Sequence, residues 1–457
     1  MTIRNILSVA LITALALGSC KKIEVKPKGL VAPEDALKTE KDLSNLLNSC
    51  YPSMAGGNFY GGRIALVSEY LGDQGDGSKL TGYDADIYNF KSSSDAGTSE
   101  VYTEPYVVIG RANSVIENLA LASSDATKKN FEGQARFLRA LAHFESVKLF
   151  AQPYGYKTDN SQPGVVVKTV SAEQLQRPRN TVKEVYDAII ADLKLAETLL
   201  PATNGVYPTS WAAKAILARV YFQMNDFANA YTYSNQVITS GVFSFDNQST
   251  FGANRFGNPK STEAIFYLVN EPTLGARFGG LRNDGNKDVS LGLPITAAAY
   301  QAGTSNTNDL RKAWYTNTNG VYGVSKYKNP SFILPVVHLT EMKLVRAESA
   351  AETNTNLAVG IGDINDITNR AYAGTYPALA ANSDAATLKA RVRAERRLEM
   401  IYEGGDRLQQ IKRIGARGET SFSRTAPWNC NGLILQFPAS EYNVNTNFQP
   451  NPTGGCN

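Results

Sequence analysis

Apolar residues recur every three or four positions in several long stretches of the chain, the signature of helices that bury one face. Phe131, Ala135, Leu138, Leu141 and Ala142 mark one such face, and Val185, Ile189, Leu193, Ala196 and Leu200 mark the next. The second stretch opens with Thr181-Val182-Lys183-Glu184, a capping-box pattern, and stops at Pro201. In 209–240, Leu217, Ala218 and Tyr221 followed by Ala230 match the spacing of a tetratricopeptide repeat, whose small residues let two helices approach closely. Asn225-Asp226 supplies the turn and Gly241 the stop. A third pair is predicted over 338–371 and a further long helix over 385–403. The pairs, about 129–200, 209–240 and 338–371, do not recur at a fixed period. A lone pair cannot bury its apolar face, so they are expected to stack.

Between the pairs lie two long stretches rich in Gly, Asn, Tyr and Ser, 56–100 and 241–335, which read as functional loops. Ala264 to Val269 is a short strand-like run inside the second. The predicted fold is mainly α: a degenerate tetratricopeptide-like scaffold of helical pairs, with long irregular loops and a little β.

One apolar run is different. From Ile6 to Leu17 it has no periodicity, follows the lone charge of Arg4, and ends in Leu17-Gly18-Ser19-Cys20. It is short for a bilayer span and has the regions of a signal peptide. Its ending resembles a bacterial lipobox, which implies a signal segment over 1–19, lipid attachment at Cys20, and a polar tether over 20–30. Export changes how the other cysteines read, because thiols outside the cytoplasm tend to be oxidised. Cys430 and Cys456 bracket a C-terminal segment rich in Pro and Asn and are a possible disulfide, whereas Cys50 falls at helical spacing after Leu43, Leu46 and Leu47 and reads as a buried small hydrophobe.

Composition narrows the chemistry. The 46 Lys and Arg nearly balance the 42 Asp and Glu, with no block of like charge, which argues against nucleic acid as a partner. Two His and no Cys-x-x-Cys leave no recognisable metal site, and no nucleophile or phosphate-loop motif is present. No cofactor is implied. Paired carboxylates for glycoside hydrolysis meet in space rather than in sequence, and Asp73, Asp76, Asp84 and Asp86 are the obvious choices. In their Gly-rich setting they read first as turn residues. Binding suits the composition better: a sugar offers apolar ring faces and hydroxyls, so a site needs flat aromatics beside hydrogen-bonding side chains. The 23 Tyr of the chain supply many. The candidate ligand contacts are Tyr60, Asp73, Tyr83, Asp84 and Tyr88 in the first loop, and Arg311, Trp314 and Tyr315 in the second.

Taken in order, several segments resemble the SusD/RagB family. Tyr102, Tyr106, Ile109, Ala112, Asn113 and Ile116 are similar to an early helix of that family, and Ala135-Arg136-Phe137-Leu138-Arg139-Ala140 to its next signature. The pair at 209–240 and the helix from Glu341 to Glu348 follow. The longest match is Arg393-Ala394-Glu395-Arg396-Arg397-Leu398-Glu399-Met400-Ile401-Tyr402-Glu403-Gly404, with Arg407 beyond it and Phe437-Pro438 and Asn451-Pro452 closing the chain. Gly404-Gly405-Asp406-Arg407 carries one residue more than the family's usual spacing. Read from its residues alone, with Arg391 and Glu395 four apart, the Arg/Glu helix is a salt-bridged face docking on the repeats rather than an anion site.

The resemblance implies one α-helical domain over 31–457. It also implies a lipid-anchored outer-membrane protein, facing the exterior, that binds an oligosaccharide or peptide and delivers it to a TonB-dependent transporter of the SusC type. It implies no enzymatic activity. Two other functions remain open at this stage: a surface glycoside hydrolase on a helical scaffold, and a tetratricopeptide adaptor for envelope assembly.

Overall fold

Thr39 caps the first of the described helices reciprocally: its hydroxyl accepts from Asp42 N, and the Asp42 carboxylate accepts from Thr39 N. The structure, a computed structural model, describes residues 37–93, 96–172, 176, 178–249, 255–257, 259–270, 293–327 and 331–456. The signal segment, Cys20 and the tether lie outside the described residues. Among those described, no helix is long and apolar enough to cross a membrane.

The helices run α1 Glu40–Asn48, α2 Cys50–Ala55, α3 Arg63–Leu71, α4 Gly82–Tyr88, α5 Ala96–Glu117, α6 Asp125–Phe150, α7 Val182–Leu199, α8 Ser210–Gln223 and α9 Phe227–Thr239. After β1 (Ala264–Asn270) come α10 Ala297–Thr304, β2 Tyr315–Thr318, β3 Val321–Val324 and β4 Phe332–His338. Then follow α11 Leu339–Thr353, α12 Leu357–Ala371, α13 Ala385–Glu399, α14 Asp406–Gly415, β5 Phe422–Ser423, β6 Ala426–Pro427 and α15 Ala439–Val444.

All three predicted pairs form, as α6/α7, α8/α9 and α11/α12. Each of α5 through α9 packs on the next, α9 packs on α11, and α11 carries α12 and α13, so the array is continuous in space although 241–338 interrupts it in sequence. The caps act where the sequence placed them. Thr181 and Glu184 close a capping box on α7, and Asn225, at a φ of 61°, makes the turn into α9, where Asp226 accepts from Asn229 N. Leu217, Ala218 and Ala230 are fully buried, and Tyr221 stacks on Tyr233 with ring centroids 5.6 Å apart.

The two long segments contain more structure than loops. Within 56–100, α3 is buried at every residue. A helix enclosed on all sides has no polar stripe, so periodicity does not reveal it. Within 241–335, β1 pairs antiparallel with β4, from Ala264 opposite His338 to Asn270 opposite Phe332, and β2 pairs with β3.

A buried ion network ties this insertion to the array. Arg255 Nη2 and Arg370 Nη2 donate to one oxygen of Glu399 at 2.8 and 3.0 Å, and Arg311 Nη1 to the other at 3.2 Å. Arg311 also holds Asp309 at 2.8 Å and Glu395 at 2.8 Å. Lys326 donates to Glu403 at 2.6 Å, and His338 Nε2 meets the other Glu403 oxygen at 3.0 Å. Burial alone would raise the Glu399 carboxyl, but the charges of Arg370, Arg255 and Arg311 outweigh it and bring it down to about 2.

At the C-terminus Cys430 and Cys456 are disulfide-bonded, and Cys50 is free and buried. Asn451 explains the anchoring of the last segment, its amide donating to Phe150 O and Leu435 O, both at 2.8 Å.

Candidate ligand surface where the two long segments meet

Backbone hydrogen bonds join the two segments that the sequence singled out. Thr296 N donates to Gln74 O and Asp76 N to Pro294 O, both at 2.8 Å, and Gly75 bridges Ile295. Ile295 N in turn donates to Tyr322 O at 3.0 Å, so the strip 74–76 is continuous with β3. A glycine is required beside this strip: a Cβ on Gly77 would lie 2.4 Å from the ring of Tyr88.

Aromatic side chains flank the junction on both segments. Tyr83 and Tyr88 come from α4. Tyr83 is 46% exposed. Tyr88 is half-buried, with the Arg424 guanidinium 4.0 Å from its ring centroid and Phe90 at 4.2 Å from the same guanidinium. Arg424 also donates to Tyr70 O at 3.0 Å and to the carbonyls of Gly72 and Tyr88, which fixes α4 against the end of α3. From the second segment, Tyr300 of α10 and Tyr322 of β3 stack with centroids 4.3 Å apart and planes 22° apart, each half-buried. Flat half-exposed rings suit the apolar face of a pyranose.

The polar groups are less free than the sequence suggests. Arg407 grips Asp73 with two bonds of 2.7 and 2.6 Å. Burial alone would raise the Asp73 carboxyl, yet the hydrogen bonds and charge of Arg407 prevail and hold it below the ordinary range. Asp84 is paired with Arg63 at 2.8 Å and accepts from Tyr70 Oη at 2.9 Å. Asp76 accepts from Ser78 N at 3.0 Å, the turn geometry expected of it.

Four of the sequence-derived contacts are buried: three lie elsewhere, and Tyr315 lies beneath the surface, its ring edge-on to Tyr300 with centroids 6.4 Å apart. Arg311 and Trp314 are 0% and 1% exposed. Arg311 belongs to the ion network, and Lys326 Nζ sits 4.1 Å from the Trp314 ring centroid within it. Tyr315 is buried, its ring so close to Gly303 that a Cβ there would lie 2.0 Å from Cζ. Tyr60 donates to Glu145 at 2.9 Å and lines a partly open cavity of about 80 Å³ shared with Lys148, Arg219, Glu341 and Arg396. That volume has room for a few waters and not for an oligosaccharide. Conversely, the sequence reading did not choose Tyr300, Tyr322, Arg397 or Arg424. They come from three separate segments, and no spacing links them.

The charged helix α13 buries Glu395, Arg396 and Glu399. Arg393 reaches Glu348, Glu352 and Glu419. Arg396 is held by Asp406, with Nε 3.0 Å from each carboxylate oxygen. Arg391 lies over the Tyr376 ring at 4.6 Å rather than pairing with Glu395.

The comparisons agree with this architecture. Residues 23–222 match the family described as starch-binding and associating with the outer membrane, and residues 275–453 match the SusD family. A SusD-like protein, P2, of Formosa agariphila is 26% identical over 97% of this chain and 98% of its own. A SusD superfamily protein of Bacteroides thetaiotaomicron superposes with a TM-score of 0.79 at 20% identity, covering 91% of this chain and 100% of that one. A SusD-like carbohydrate binding protein of Bacteroides vulgatus gives 0.74 at 18%, covering 90% and 98%. With both halves of the sequence matched, and a full-length relative and fold alongside, the chain belongs to the SusD/RagB family.

Proposed function

We propose that this protein is a lipid-anchored glycan-binding subunit of the outer membrane that passes its ligand to a TonB-dependent transporter. The observation that carries the ligand part is the backbone junction of 74–76 with 294–296, which joins the segment bearing Tyr83 and Tyr88 to the segment bearing the Tyr300–Tyr322 stack. These rings give a sugar chain aromatic platforms, and the relatives' descriptions as starch-binding and carbohydrate binding point the same way. The Leu17-Gly18-Ser19-Cys20 sequence supports the lipid anchor, and family membership supports the transporter partner.

The role we propose is capture without turnover. Glycoside hydrolysis needs one carboxyl protonated and its partner free to act, whereas Asp73 and Asp84 are each engaged by a guanidinium. Titration calorimetry against a panel of oligosaccharides tests this reading. Binding is expected to weaken about tenfold in Tyr83→Ala and Tyr322→Ala, in line with the loss of a stacked ring, while the ligand is recovered uncleaved. Unchanged affinity in both variants rejects the surface. Ligand turnover abolished by Asp73→Asn promotes the hydrolase instead. Isolation of the native lipoprotein with no barrel partner counts against the transport role.

A further inference from the structure

We propose that the glycan taken at this surface is anionic, bearing a carboxylate or sulfate group, and that Arg397 receives it. This inference rests on the glycan-binding reading. The arginines of α13 differ sharply in how they are used. Arg393 has three carboxylate partners and Arg396 has Asp406. Arg397 has neither. Among the described residues its one ion-pair partner is Asp73 Oδ2, at 3.7 Å, beyond hydrogen-bond reach.

Both oxygens of that Asp73 are already committed to Arg407. Two guanidinium groups therefore share one carboxylate, which leaves a local excess of one positive charge. The Arg397 side chain is 40% exposed, so its donors are reachable from solvent. Burial, and next the charge of Arg407, pull the Arg397 pKa down from its ordinary value, the mark of a cation lacking its own counter-ion.

The position is right for a ligand contact. Arg397 O accepts from the side chain of Gln74, whose own carbonyl accepts from Thr296 N at the start of α10. Tyr300 stands one turn along that helix, against Tyr322. Arg397 is thus fastened by its backbone to the strip where the two segments join. A planar guanidinium with free donors matches an oxyanion on a sugar, and the rings nearby match the sugar itself.

The test compares a tetragalacturonate, a neutral galactotetraose and a sulfated galactotetraose by calorimetry at about 0.15 M ionic strength. At least one acidic probe is expected to bind about tenfold or more tightly than the neutral one, with affinity falling as salt rises. Arg397→Gln should remove that preference and Arg397→Lys should restore part of it, while both variants melt with the wild type. Preference for one acidic probe over the other identifies carboxylate or sulfate as the group. Equal binding of neutral and acidic probes, or a preference that survives Arg397→Gln, overturns the inference and leaves the glycan reading intact. Failure of all three probes to bind overturns both.

Discussion

Replacing Arg311 by Met tests whether the insertion is held by its buried charges. Arg311 has no exposed surface and serves three carboxylates: Asp309, Glu395 and Glu399. Glu399 keeps Arg255 and Arg370 when Arg311 is lost. Asp309 and Glu395 keep no cation among the described residues, although Tyr372 Oη still donates to Glu395 at 3.3 Å. Removing one partner of a buried pair costs about 3–5 kcal/mol, because the remaining charge stays desolvated. That is a large part of the ~5–15 kcal/mol by which domains are stable. Urea denaturation followed by tryptophan fluorescence reads the loss, with Trp314 inside the network as a local reporter.

The deficit should depend on pH. Burial already raises the Glu395 carboxyl in the wild type, against the opposing charge of Arg311. Without Arg311 it rises further, so the folded variant retains a proton that the unfolded chain releases near about pH 4.3. Such a group loses stability as pH climbs from the unfolded towards the folded pKa. The variant's deficit is therefore smaller near about pH 5 than near about pH 8. Arg311→Lys, which keeps a charge but not the fork, should fall between. A loss below about 1 kcal/mol, the value of an exposed pair, or a deficit constant with pH, refutes this reasoning.

Two further outcomes follow from the core and the C-terminus. Burial pushes the Glu69 carboxyl up to about 8, and among the described residues neither of its oxygens has a hydrogen-bond partner. Wild-type stability should thus fall relative to Glu69→Gln as pH rises from about 4.5 to about 8, by up to ~1.4 kcal/mol per unit, then level off; parallel urea curves across that range refute it. Converting Cys430 and Cys456 to Ala opens a crosslink across 26 residues, at an expected cost of about 3 kcal/mol. A melting temperature that is insensitive to the double substitution, and to reductant in the wild type, shows that the closed loop adds nothing.

How much of this was legible in the sequence depended on whether each element keeps a polar side. The helices α7 and α9 show caps, turns and apolar stripes because each lies at the border between core and solvent, whereas α8, with no exposed residue, was legible from its tetratricopeptide spacing. α3 shows nothing of the kind. Ile64, Ala65, Leu66, Val67, Tyr70 and Leu71 surround Ser68 and Glu69 in full burial, so composition and period give no contrast. The strand-like run at 264–269 was visible because β1 is short, apolar and bounded, yet its partner β4 lies more than sixty residues on and has no local mark.

The ligand surface follows the same logic at the level of single side chains. Both segments stood out by their Tyr and Gly content, and their backbones do meet, but which residues face outward was decided by partners far away in sequence. Asp73 is neutralised by Arg407, 334 positions later, and Arg311 by Glu399, 88 positions later. Residue type alone cannot separate Arg311, wholly enclosed, from Arg397, left half in solvent. Reading α13 as a salt-bridged face accounts for Arg393 and Arg396, whose carboxylates come from α11, the first residue of α14 and Glu419 beyond it. It fails for Arg397 because the nearby acid was already taken. In the role proposed for Arg397, an ion-pairing helix becomes a recognition surface at the position where the count of partners runs one short.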